Sequence, residues 1–179
     1  DPPEYGNLLL LMSREKRLQQ VIDNFGKYVI QQSRTNLTKG RKNVSGDLYN
    51  SLGYDLKVMP NSFSLEFFMP EYGEYQDKGV SGTKKKYNTI YSYSNKKPPM
   101  QPLADWAKKR GIRLRDEKGR YKKGNYESIG FILQRSIFEK GIKPSLFFTK
   151  PFEKAFIRLP EDIIEKFALD IDDLLEFTR

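Results

Sequence analysis

Hydrophobic residues in the early part of the chain recur at helical spacing. Leu18, Val21, Ile22, Phe25, Tyr28, Val29 and Gln32 fall three, four and seven positions apart, which places them on one face. The spacing predicts a long amphipathic helix over 14–36, with Ser13 as its N-cap and Gly40 just past its end. Residues 38–46 are polar and basic with two glycines and read as a loop. The period then becomes two. Tyr54, Leu56 and Val58 alternate with charged residues, and beyond Pro60-Asn61 the residues Phe63, Leu65, Phe67 and Met69 alternate again. Two short antiparallel strands follow, over about 52–59 and 62–69. Phe68 sits on the polar side of the second and suggests that both of its faces are covered.

The Tyr-rich stretch 71–79 ends at Gly79 and reads as a short helix, and 80–101 loses periodicity and reads as a long loop, functional or disordered. A short helix containing Leu103, Trp106 and Ala107 follows Pro102 and stops at Gly111, and 112–125 reads as a small hairpin or exposed loop. Ile129, Ile132, Leu133, Ser136 and Ile137 predict a helix over 126–140, closed by Gly141. Pro144 to Phe148 reads as extended. Thr149 can cap the next helix, in which Pro151 suits the first turn and Phe152, Phe156 and Leu159 share a face until Pro160 breaks it. The stripe Ile163, Ile164, Phe167, Ala168, Ile171, Leu174 and Leu175 predicts a last amphipathic helix over about 160–178. No internal repeat is visible. The expected fold is a single α+β domain over 1–179: a small antiparallel sheet packed against the long N-terminal helix and the C-terminal helices, with long extended loops and a basic, loop-rich insertion at about 80–125.

Composition narrows the chemistry. The 179 residues include no Cys and no His, which excludes thiol and Ser-His-Asp catalysis, thiolate or imidazole zinc sites and a disulfide framework. Leu8–Met12 is the notable apolar run and is far shorter than the roughly 20 residues that span a bilayer. With no basic region ahead of it, the N-terminal stretch does not read as a secretory signal, and a soluble intracellular or assembled-particle protein is expected.

The net charge of +9 is unevenly placed: residues 1–83, 84–123, 124–159 and 160–179 carry 0, +11, +3 and −5. In the basic segment Lys84, Lys85, Lys86, Lys96, Lys97, Lys108, Lys109, Arg110, Lys122 and Lys123 are interleaved with Tyr87, Tyr91, Tyr93, Trp106 and Tyr121. That mixture suits phosphate-backbone contact with base stacking, yet no recognised nucleic-acid motif accompanies it. The alternative is docking on an acidic protein surface, which the chain itself supplies: Glu161, Asp162, Glu165, Asp170, Asp172, Asp173 and Glu176 lie in its last stretch. Subunits joined head to tail through these two patches make a heterologous contact that closes into a ring when the rotation permits. The enzymatic candidate is a carboxylate nuclease site in which Asp105 and Asp116 hold Mg²⁺ and Lys118 stabilises phosphate charge; its bland counterpart is a solvated turn at 116–119. Gly79 to Lys84 lacks the spacing of a nucleotide-binding P-loop.

Three local patterns occur in a telling order. Ser45-Gly46-Asp47-Leu48-Tyr49-Asn50-Ser51-Leu52 resembles the small-Gly-x-Leu-x-x-Ser-aliphatic segment of the tail-completion and head–tail connector (neck) proteins of tailed bacteriophages. Tyr72-Gly73-Glu74-Tyr75-Gln76-Asp77-Lys78-Gly79 is similar to that family's Tyr-x-x-Tyr-x-acid-x-Gly element. Pro144-Ser145-Leu146-Phe147-Phe148 is similar to its closing Pro-x-x-Phe-Phe, followed by a C-terminal helix. The similarity spans about 14–179. The insertion at 80–125 makes the chain resemble the longer versions in crAss-like phages of gut Bacteroidetes.

The resemblance implies a non-enzymatic structural protein of the virion, assembled in the bacterial host cytoplasm. Six or twelve copies would form a ring between portal or adaptor proteins and tail ring proteins, surrounding packaged DNA without sequence specificity. It implies no cofactor, metal, membrane or small-molecule substrate. Loops 38–46 and 80–101 would reach neighbouring rings and order on assembly.

Overall fold

The computed structural model describes residues 4–42, 46–59, 62–161 and 163, with side chains from Lys16 onward. The chain is of the α+β class: its described residues form six helices and one two-stranded antiparallel sheet. Two compact units divide it, unit 1 from 1–39, 47–70 and 147–179, and unit 2 from 40–46 and 71–146.

Unit 1 is built on α1 (Glu4–Lys39), whose stripe Leu18, Ile22, Phe25, Val29, Ile30 and Leu37 is buried. The stripe is the predicted one, but the helix is longer at both ends than the spacing shows. It begins at Glu4, so Ser13 lies inside it rather than capping it, and it takes in residues 38 and 39, read as loop. After the short α2 (Asp47–Ser51), β1 (Gly53–Met59) and β2 (Ser62–Phe68) form a hairpin in which Tyr54 faces Phe67 and Leu56 faces Leu65. A two-stranded hairpin is marginal alone. This one lays Tyr54, Leu56, Leu65 and Phe67 on the α1 stripe and so shares its core. On the other face of β2, Phe68 is 47% exposed, contrary to its expected cover; among the described residues the helices pack on the side of Phe63, Leu65 and Phe67.

Before α6 (Thr149–Phe156) the chain is not simply extended. Leu146 turns in the left-handed region at φ 51°, and Phe147 is buried beside Leu37, Leu48 and Leu52. The N-cap of α6 falls on Phe148, whose side chain has no oxygen to cap with, so Thr149 is the first helical residue instead of the cap. Phe152 and Phe156 stack with centroids 5.9 Å apart, and Phe152 meets Phe25 edge to face at 5.6 Å. Ile163 is buried against Leu18 and Ile22. Beyond it, the expected terminal helix lies outside the described residues.

Unit 2 holds α3 (Glu71–Lys78), α4 (Met100–Lys109) and α5 (Tyr126–Lys140), and its buried residues are few and mostly small, with Val80 and Ile129 the larger apolar ones. Ala104 and Ala107 of α4 and Ile129 and Gly130 of α5 are buried, and the helices approach closely at one point, where a Cβ on Gly130 would stand 2.9 Å from that of Ala104. Asn125 caps α5 by accepting from the Ser128 amide at 2.8 Å, and Gly141 ends it.

Candidate functional site

The stretch read as a long loop is tied to the end of α5 by its backbone. Val80 and Ile142 exchange amide–carbonyl bonds of 2.9 and 2.8 Å, and the amides of Thr83, Lys84 and Lys85 donate to the carbonyls of Phe138 and Glu139. Tyr93 donates to the Ser81 carbonyl and Ser81 to that of Tyr91, each at 2.8 Å. The Ser81 hydroxyl closes the enclosed turn, donating to the Tyr87 carbonyl and accepting from its amide. Residues 80–93 therefore fold onto their own unit rather than forming a free loop. Gly141 makes this possible. At φ 73°, ψ −169° it occupies a region open essentially to glycine alone, and a Cβ there would overlap the Val80 carbonyl.

The family-like residues mark joints within this architecture. Leu48 is buried in the unit 1 core and Gly46, at φ 81°, leads into its helix, while Ser51 ends that helix on the surface. In unit 2, Tyr75 packs edge to face on Tyr91 at 4.8 Å, and Tyr72 is half exposed. The backbone carbonyl of buried Asp77 accepts from the amides of Ser145 and Leu146. A Cβ on Gly79 would stand 2.6 Å from Pro144, so the second and third patterns meet there in space. Phe147 and Phe148 belong to the unit 1 core.

The Tyr91 hydroxyl donates to Glu74 at 2.6 Å. That bond, more than the added burial, pushes the Tyr91 phenol up to about 12, and it also holds the Glu74 carboxyl below its usual range.

Positive charge is concentrated in unit 2, which carries 20 basic and 8 acidic side chains, a net +12; the rest of the sequence carries 12 and 15, with residues 160–179 alone supplying −5. Several of the singled-out cations are engaged locally. Lys84 pairs with Glu139 at 2.9 Å, and Arg135 meets the same carboxylate at 3.2 Å; the Lys84 bond, then the Arg135 bond, lower the Glu139 carboxyl. Lys85 lies over Tyr87, Lys97 over Phe138 and Arg110 over Trp106. Arg110 also donates to the Arg41 carbonyl. Lys86, Lys96, Lys108, Lys109, Lys122 and Lys123 stand exposed. Tyr121, 64% exposed, lies between Arg113 and Arg115 with guanidinium carbons 5.6 and 4.5 Å from its ring. Of the acidic set, Glu161 is exposed, and Asp162, Glu165, Asp172 and Asp173 lie outside the described residues.

The nuclease candidates take part in local structure. One Asp116 oxygen accepts from the amides of Lys118 and Arg120, and the other accepts from the Arg120 guanidinium at 3.1 Å, which builds the turn at 116–119. Asp105 accepts from Gln101 at 3.1 Å. No three carboxylates converge to hold a metal among the described residues.

One feature of α5 escaped the periodicity. Ile132, expected on the buried face, is 51% exposed, and its neighbour Phe131 is 54% exposed. Burial of α5 centres on Ile129 and Gly130 against α4, so the inward face is rotated away from Ile132. The sequence signal was Phe131 itself, an aromatic residue off the apolar stripe.

An open groove of about 850 Å³ on unit 1 is lined in part by Lys27, Arg34, Tyr49 and Tyr54. Its polar groups serve the fold. Arg34 donates to the carbonyls of Tyr49 and Leu52, and Tyr54 donates to Asp23 at 2.7 Å. No helix among the described residues is long and apolar enough to cross a membrane.

The chain is thus an α+β protein whose candidate site is a cationic, aromatic-studded surface on one of its two units. No protein-family model, curated protein or solved structure matches it.

Proposed function

We propose that the chain is a structural subunit of the head–tail connector of a tailed-bacteriophage virion, forming a ring of six or twelve copies around the DNA channel. The family resemblance supplies the setting. The observation that carries self-assembly is the charge partition: +12 on one compact unit against −5 on the sequence stretch 160–179. A chain with oppositely charged parts favours contact between the cationic unit of one copy and the acidic stretch of the next. The neighbours in this reading are portal or adaptor proteins on one side and tail ring proteins on the other. Mass photometry at low and high salt tests it. Discrete six- or twelvefold species at low salt support the ring, and a monomer at both salts, even when concentrated, refutes it.

A second reading is favoured by Tyr121 and its two guanidinium neighbours, an exposed aromatic and cationic group suited to nucleic acid. A salt titration of DNA binding separates the two readings. Submicromolar affinity that falls about 1,000-fold between ~50 and ~200 mM salt indicates six or more phosphate contacts and favours nucleic-acid binding as the main function.

A further inference from the structure

We propose that the exposed face of α5 around Phe131 and Ile132 is the docking site for the acidic stretch 164–179 of a neighbouring copy. This rests on the ring reading and names the surface through which the ring would close. Phe131 and Ile132 are adjacent, each more than half exposed, on a helix whose opposite side is fixed to α4 through Gly130 and Ala104. The patch has a cationic border on one side. Residues 127, 131, 135 and 139 share one stripe at i, i+4 spacing; Glu127 stands exposed one turn before the patch, and after it Arg135 and Lys84 divide the single carboxylate of Glu139, leaving net positive charge on that side.

The occupant must therefore be apolar along one side and acidic along the other. The stretch after Ile163 has that composition. Phe167, Ile171 and Leu174 recur at helical spacing, with Glu165, Asp172 and Asp173 between them. A nucleic-acid backbone matches the border but gives Ile132 nothing apolar to meet. Ile163, buried against Leu18 and Ile22, anchors the start of the stretch on unit 1. Each copy thereby carries one donor segment and one acceptor face, which is the requirement for a heterologous contact.

The test places a photoreactive benzoylphenylalanine at position 131 of the full chain, a substitution that keeps an aromatic at a surface position. Irradiation at low salt is expected to give cross-links into residues 164–179, in covalent species of twice the monomer mass that disappear at high salt. Cross-links elsewhere, only within single chains, or none at all overturn the proposal. A charge-reversed pair supplies a second arm, with circular dichroism confirming that each variant is folded. Asp172→Lys with Asp173→Lys, and separately Lys84→Glu with Arg135→Glu, are each expected to weaken association by about 30-fold or more, the loss that accompanies a disrupted interface hot spot. Mixing the two restores one native contact and leaves the other charge-swapped but still complementary, so association is expected to recover. Rings that persist in both variants sink the docking site and leave the ring reading standing. Cross-links from 131 into 164–179 in species that never close into discrete rings do the reverse.

Discussion

Replacing Gly141 by alanine tests how unit 2 is held together, because this residue combines two constraints that can be separated. Its φ of 73° and ψ of −169° cost a residue with a Cβ on the order of 1–3 kcal/mol. The added methyl also meets the Val80 carbonyl, a backbone atom that no rotamer change can move aside. Relief requires 80–82 to withdraw, which opens the Val80–Ile142 pair, each bond of which contributes about 0.5–1.5 kcal/mol. The combined loss is about 3 kcal/mol or more. At 1.4 kcal/mol per tenfold, amide exchange at Val80, Thr83 and Ile142 accelerates by about 100-fold, read by hydrogen exchange with mass spectrometry. Gly111→Ala is the control. Its φ is 63° but no atom lies within 4 Å of its Cβ, so only the left-handed backbone is penalised, by about 1 kcal/mol. Its effect is about fivefold and confined to the end of α4. Acceleration below about fivefold at Val80 and Ile142 in Gly141→Ala would refute the claim that the basic stretch is fastened to α5 through this glycine.

Phe67 touches Phe25, Tyr54, Phe148 and Phe152 with ring centroids 5.2–6.3 Å apart. Phe67→Ala is expected to destabilise unit 1 by about 3 kcal/mol and Phe67→Leu by about 1 kcal/mol, measured by urea denaturation; a Leu variant as stable as the parent would show that aromatic geometry contributes nothing beyond volume. Tyr54 and Tyr91 are both pushed up to about 12, Tyr54 by burial and then by its bond to Asp23, Tyr91 by its bond to Glu74 and then by burial. Raised phenols stabilise the fold fully below the ordinary value near 10, and that contribution disappears as pH rises through 12. Tyr75 and Tyr93 are raised as well, so a spectrophotometric titration should show a late-ionising group in which Tyr54 and Tyr91 come last, with one fewer late phenol in Tyr91→Phe; a single wave near 10 contradicts both hydrogen bonds. At the acid end, the Lys27 bond and then the Tyr54 bond lower the Asp23 carboxyl. Its contribution is present above the usual carboxylate range and lost as pH falls below it, so Asp23→Asn should flatten the acid limb of stability against pH.

Periodicity reports burial, and in this chain burial of large side chains is concentrated in unit 1. The three clusters of buried apolar residues described all lie there. The α1 stripe from Leu18 to Val29 and both strands were accordingly legible, the hairpin to within a residue at each end because Pro60-Asn61 separates two period-two runs. The start of α1 was not legible, because five successive apolar residues at 8–12 have no preferred face and Ser13 is a capping residue type. Unit 2 defeats the method for a different reason. Its helices meet through Ala104, Ala107 and Gly130, too small to register as a stripe, and its residues 80–93 are fixed by amides and carbonyls that every sequence possesses. Only the glycines record that arrangement, and a glycine alone reads as a turn. Charge survived where hydrophobicity failed: the +11 of 84–123 was countable from the residues, and the structure sets it in a unit that adds Arg41, Lys42, Lys78, Arg135, Lys140 and Lys143 together with five carboxylates, for a net +12. A unit with few large buried side chains that is held by backbone bonds keeps its long cations and half-exposed aromatics on the surface. This is why Phe131, an aromatic off the apolar stripe, and Ile132, which the pattern placed on it, are the residues on which an interaction surface is most directly tested.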